Sequence, residues 1–141
     1  MTPLSLPMAI EELIPHRLPM RLVDRLLKVE EGKGVIEALI RSDCPLVDET
    51  GRLEDSALIE LIAQAFAGLK GYRDRKEGKP ARQGFLVGIK NFARLKSVQA
   101  GDLLRIEICT IAELNDFAVA EGKVWCGGEF AACGEIKVWI N

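Results

Sequence analysis

The run that most constrains this chain is residues 55–72, DSALIELIAQAFAGLKGY, the one long stretch with a helical apolar period. At about 100° per residue, Leu58, Ile62, Ala65 and Leu69 fall on one face, and Ile59, Leu61, Ala63 and Phe66 fill its flanks. A helix that apolar must be wrapped by lipid or by a sheet. Lipid is a poor host, because the run is too short to cross a bilayer and contains Glu60 and Gln64. The one stripe that is not greasy carries Glu60, Gln64, Ala67 and Gly71. An amide thus sits one turn above a carboxylate, followed by small residues that would let another chain or a ligand lie close. Burying an ionised carboxylate is costly unless it is paired or its pKa rises, so Glu60 requires a chemical reason.

The remaining elements supply the sheet. Ile10–Ile14 is expected as a short helix that stops before Pro15 and Pro19. Met20–Val29 has an extended pattern with a bulge near Leu26, and EEGKG turns into VIEALIR. Residues 42–54 form a polar loop that delivers the chain to Asp55 or Ser56 as N-cap. After the helix, RDRKEGKPARQG is expected as a charged, solvated loop. Phe85–Leu95, LLRIEICTI, FAVAEGKVW and FAACGEIKVWI then follow as strands, the last two joined by the tight Gly127-Gly128 hairpin. Gly84 and Gly88 mark places where something comes close to the third of these six strands. Residues 1–141 therefore form one α+β domain, a largely antiparallel six-stranded sheet around one central helix. One helix cannot cover six strands and their edges, so a dimer is expected.

Composition removes several functions. The formal net charge of −2 gives no basic field, so nucleic acid is not an expected partner. The start MTPLSLPMAIEELI lacks a basic leader, which points to a cytoplasmic protein without a membrane association. Cys44, Cys109, Cys126 and Cys133 have no metal-ligand spacing and His16 is the single histidine, so neither a metal nor a cofactor is expected.

Three strings in order give the pattern a family. LIPHRLPMRLVDRLLKVEEG, IELIAQAFAG and GFLVGIKNFARLKSVQAGDLLRIEI resemble signatures of the hotdog-fold 3-hydroxyacyl-acyl-carrier-protein dehydratases of fatty acid synthesis. The resemblance runs from about Ile10 to Ile111 and weakens in the last two strands. Those enzymes carry a catalytic histidine in a GHFPG-like loop before the helix; here DCPLVDETGRLEDS stands there, with no histidine. A closer likeness is to the divergent dehydratase-like group of aryl-polyene biosynthesis clusters, which join a PH…PM string to a Glu-x-x-Ala/Met-Gln helix and also lack that loop histidine.

The resemblance implies dehydration of a 3-hydroxyacyl thioester on acyl carrier protein or coenzyme A, with Glu60 and His16 as catalytic acid and base. It also implies a site at a dimer interface, acid and base coming from different chains. Gln64 would orient the carboxylate, and backbone N–H groups of Ser56, Ala57 and Leu58 would polarise the thioester carbonyl. Gly84 and Gly88 complete the expected substrate contacts. Plainer roles stand beside these. Glu60 could pair with Arg17, Arg21 or a partner's arginine, and His16 could hold its turn by bonding to backbone. Met20, Phe66, Phe85 and Phe92 are expected as ordinary core, or in part as the lining of an acyl tunnel. Lys70, Arg73, Arg75, Lys76, Lys79 and Arg82 form either a solvated segment or a dock for an acidic carrier. Two alternatives to the dehydratase are a thioesterase using Glu60 and a non-catalytic hotdog subunit that pairs with an active dehydratase.

Overall fold

The structure, a computed structural model, describes residues 4–141. Its one α-helix, α1, runs Asp55–Lys76. Seven strands, β1 (Met8–Ala9), β2 (Arg25–Glu30), β3 (Lys33–Leu39), β4 (Gly84–Arg94), β5 (Leu103–Leu114), β6 (Phe117–Cys126) and β7 (Glu129–Ile140), make one sheet. Their order is β1-β2-β3-β5-β6-β7-β4, and every neighbouring pair is antiparallel. This is the hotdog arrangement, a sheet wrapped around a helix. No helix among the described residues is long and apolar enough to cross a membrane.

Shape complementarity explains how the helix sits. Leu58, Ile62, Ala65 and Leu69 are fully buried against the sheet. Beneath them a cross-strand row, Gly34, Ile108, Gly122 and Gly134, opens hollows in the inner face. A Cβ on Gly122 would stand 2.5 Å from the Ile62 side chain, and one on Gly34 3.1 Å from Leu69. The absence of side chains there lets the helix approach the sheet closely.

The opposite side of α1 is covered by the chain's own N-terminal segment. Ile10, fully buried, donates its N–H to Asp24 O at 2.9 Å, and a 3-10 turn follows over Ile10–Glu12. A Cβ on Gly68 would meet Ile10 at 2.6 Å, and one on Gly71 would meet the Leu13 carbonyl oxygen at 2.3 Å. The small residues expected to admit another chain or a ligand admit this segment instead.

Several expected boundaries move. The strand expected from Met20 begins only at Arg25, because Met20 and Arg21 donate their N–H groups to Arg17 O in a turn. The bulge does fall between Leu26 and Lys28. The two-residue β1 was not foreseen, being too short to show a period. α1 begins after Glu54, which caps it with no side-chain bond, so neither Asp55 nor Ser56 is the N-cap. It also continues through Arg73, Arg75 and Lys76, cations that suit the negative end of the helix dipole.

Candidate active site

The site is built where the PHRLPM turn crosses the polar stripe of α1. Gln64 is 1% exposed and every polar atom of its amide is used. Its Oε1 accepts the Leu22 N–H at 2.8 Å, while Nε2 donates to Met20 O at 2.9 Å and to Glu60 Oε1 at 3.0 Å. A backbone donor on one side and a backbone acceptor on the other fix which way the amide points. Gln64 therefore fastens the turn to the helix and presents an N–H to the carboxylate.

Arg17 holds the turn itself. Its guanidinium donates to Ile14 O and His16 O, both at 2.8 Å, and to Glu11 O at 3.0 Å. Arg21 donates to Val23 O at 2.7 Å and to Asp24 Oδ1 at 3.1 Å, and lies 3.3 Å from Glu11 Oε1. With both arginines engaged there, neither pairs with Glu60. The alternative of an arginine-locked carboxylate fails within this chain.

His16 does not hold its turn through the ring. Nδ1 is buried with no hydrogen-bond partner, and Nε2 faces Glu60 Oε1 at 3.9 Å. That gap is too long for a hydrogen bond and short enough for a charge interaction. The His16 and Glu60 side chains are 33% and 39% exposed, so the enclosure expected around Glu60 is not supplied by this chain alone. The two residues meet within one chain, where the resemblance implied different chains.

The other expected contacts separate from this pair. The Ala57 N–H is taken by Glu54 O at 3.0 Å, and Leu58 falls inside the regular helix ladder. Of the three expected donors only Ser56, exposed and one turn before Glu60, has no acceptor in that ladder. Gly84 and Gly88 lie on β4, where added Cβ atoms would meet Val138 at 3.0 Å and Lys137 at 3.5 Å on β7. Their neighbours are strand residues, not His16 or Glu60.

Expected core and charge also need correction. Phe66 is buried and Phe92 packs against the core, but Met20 and Phe85 are exposed. The basic segment is largely neutralised by the chain itself. Lys70 pairs with buried Asp74, Arg73 with Glu113, Arg75 with Glu12, Lys79 with Glu77 and Arg82 with Asp116. This weakens its case as a carrier dock. Sequence reasoning missed Arg17 as the clamp, although Pro15 and Pro19 signal a turn whose carbonyls lack regular partners.

Neither of two hollows among the described residues opens at the pair. A hollow of about 50 Å³ lies beside the turn, lined by Leu18, Pro19, Leu22, Leu39, Ile40 and Cys44 among others, room for little more than a water or two. A hollow of about 340 Å³ lies on the outer sheet face among Lys28, Glu30, Lys33 and Lys123, away from His16. The four cysteines are free, and no group of acidic, Cys and His side chains among the described residues is placed to hold a metal.

A family model described as ApeP-like, ApeP dehydratase, matches residues 8–141. The 3-hydroxyacyl-[acyl-carrier-protein] dehydratase FabZ of Natranaerobius thermophilus is 35% identical over 136 residues, covering 90% of this chain and 91% of that protein. The FabZ of a Geobacillus species is 33% identical over 137 residues, covering 90% and 89%. In fold, the chain is similar to the dehydratase heterocomplex ApeI:P from Xenorhabdus doucetiae, with a TM-score of 0.88 at 20% identity over 95% of this chain and 91% of that one. The chain belongs to the ApeP-like dehydratase family.

Proposed function

We propose that this protein removes water from a 3-hydroxyacyl thioester carried on acyl carrier protein, in the cytoplasm and in aryl-polyene synthesis. Neutral His16 takes the C2 proton through Nε2. Protonated Glu60 gives its proton to the 3-hydroxyl as the C3–O bond breaks, and enoyl thioester and water leave. Gln64 donates to Oε1 of Glu60, which leaves Oε2 as the oxygen that carries the proton toward substrate. Turnover ends with an imidazolium and a carboxylate, both partly open to solvent, so loss of one proton to water and uptake of another from it restore the starting state. The observation that carries the reading is this pairing, with the chain's single imidazole turned toward the helix acid and both arginines occupied elsewhere.

A second hotdog chain completes the site. β4 is an edge strand with Phe85, Leu86, Val87 and Ile89 all exposed, a free apolar edge suited to pairing with another strand. The partner is a second copy or a different hotdog protein, and the dehydratase heterocomplex among the structural neighbours supports the latter. The same edge, with His16 and Glu60 left partly exposed in one chain, also supports a second reading, a subunit that shapes the tunnel of an active partner without reacting itself.

Incubating the purified protein with 3-hydroxyacyl-carrier substrates, with and without a hotdog partner, separates these readings by product mass. Loss of one water that requires both His16 and Glu60 supports catalysis here. Free acid would indicate a thioesterase. Unchanged dehydration by the complex in His16→Ala and Glu60→Gln would leave this chain the supporting role.

A further inference from the structure

Asp24 stands one residue before β2, and the sheet already uses both of its backbone groups. Its N–H donates to Glu37 O at 2.8 Å, and its carbonyl accepts the Ile10 N–H at 2.9 Å. The carboxylate is left for other partners. Oδ2 accepts the Leu39 N–H at 2.6 Å, where β3 has run past the start of β2 and takes this side chain in place of a ladder carbonyl. Oδ1 accepts from Arg21 Nη1 at 3.1 Å, and the same nitrogen donates to Val23 O at 2.7 Å. The Arg21 side chain is only 11% exposed, so its charge needs partners close by. Asp24 and Glu11, the latter at 3.3 Å from Nε, supply them. Any short acceptor could serve the Leu39 N–H, but only a carboxylate serves it and a buried guanidinium together.

Arg21 lies between the two peptide groups that hold Gln64. Met20 O accepts from Gln64 Nε2, the Leu22 N–H donates to Gln64 Oε1, and the amide's third bond reaches Glu60 Oε1. A line of contacts therefore runs from the end of β3 through Asp24, Arg21 and Gln64 to the acid. The other half of the turn is held separately, by Arg17 on Ile14 O and His16 O. The two halves meet at Glu11, whose carbonyl accepts from Arg17 and whose carboxylate faces Arg21. We propose that Asp24 is a positioning residue. By fixing Arg21 to the end of β3, it sets the direction of the Gln64 amide and so the aim of the Glu60 carboxylate. A site carried on strands and helices is held more tightly than one on a loop, and Asp24 is where this turn takes its stiffness from the sheet. The role of Asp24 in turnover rests on the dehydratase reading, whereas the mechanical tie from β3 to Gln64 does not.

Asp24→Asn keeps an acceptor for Leu39 and removes the charge that Arg21 needs. The variant would be compared with wild type and with Arg25→Gln, which breaks the Arg25–Glu37 pair one residue further on and leaves Arg21 alone. Any required hotdog partner would be present throughout. In amide hydrogen exchange, the Leu22 N–H of Asp24→Asn is expected to exchange roughly tenfold faster or more, as its bond to Gln64 loosens. In dehydration of a 3-hydroxyacyl-carrier substrate, kcat is expected to fall about tenfold while KM stays within about twofold, since substrate is held as before but meets a misdirected acid. Arg25→Gln is expected to match wild type in both. Should Asp24→Asn not fold, Arg21→Lys serves with the same expectations, because one ammonium cannot turn separate nitrogens to Glu11 and Asp24. A Leu22 N–H as protected as in wild type would overturn the proposal, whether or not the chain turns over. So would a loosened Leu22 with wild-type kcat, or an equal loss in Arg25→Gln. Turnover missing from wild type itself would count against the dehydratase reading instead, and the exchange result would then decide the tie.

Discussion

The two sides of α1 are held by different physics. Toward the sheet, Ile62 and Leu69 settle into hollows at Gly122, Gly134 and Gly34, and the contact is all shape. Toward the N-terminal segment, Gly68 and Gly71 allow an equally close approach, and one buried amide reaching Leu22, Met20 and Glu60 adds individual hydrogen bonds. Neither side tolerates added volume, but the first has no direction of its own. The second fixes direction, which a proton-transferring pair needs. Damage to the sheet side should therefore appear as lost stability, and damage to the turn side as lost turnover.

The largest effect is expected at Gly122. Gly122→Val forces a branched side chain into Ile62, and overpacking of this kind costs about 3 kcal/mol. Urea unfolding would show it, and a Gly122→Ala, Ile62→Ala cycle should give a double variant more stable than the summed single effects. Next comes Gln64→Leu, which strands the Leu22 N–H and the Met20 carbonyl. About 2 kcal/mol of stability is expected to go, together with at least tenfold in kcat/KM as Glu60 loses its donor. Gly71→Ala probes the turn side by volume alone. A better helix former would gain up to ~1 kcal/mol, yet its Cβ pushes on the Leu13 carbonyl oxygen, three residues before His16. Melting temperature should fall despite that gain, and kcat/KM should fall several-fold as the turn shifts off the helix.

The smallest effect is expected where the end of α1 is tied to β5 by Arg73 and Glu113. The hydrogen bond from Arg73 holds the Glu113 carboxyl below its usual range, so the folded state gains stability above the carboxyl's unfolded pKa. That gain disappears as pH falls through the lower folded value. Both side chains are partly exposed, so Glu113→Gln is expected to cost only ~0.2–1 kcal/mol near neutral pH and nothing in acid, read from urea midpoints at several pH values.

Much of the sheet side was legible in the sequence. The 3.6 period of Leu58, Ile62, Ala65 and Leu69 needs no tertiary information, and neither does the alternation of Ile136, Val138 and Ile140. Gly122 and Gly134 escaped notice because a hollow exists only once strands are in register. On the turn side, Glu60, Gln64 and His16 stood out as residue types out of place. Their arrangement did not, because Met20 and Leu22 act through backbone atoms and Arg17 acts on carbonyls that no residue identity reveals. The exposure of Phe85 and Met20 was hidden for a related reason, since apolar character alone does not distinguish a core from a contact surface.

The central claim, that acid and base meet inside one chain, is tested by mixing. His16→Ala and Glu60→Gln chains with different affinity tags would be co-expressed, purified through both tags, and assayed for dehydration of a 3-hydroxyacyl-carrier substrate beside wild type. Any required hotdog partner would be present in every arm. The mixed assembly is expected to be as inactive as either variant alone, since neither chain holds a complete pair. Recovery of a substantial share of wild-type turnover would place the acid and the base on different chains and contradict the account.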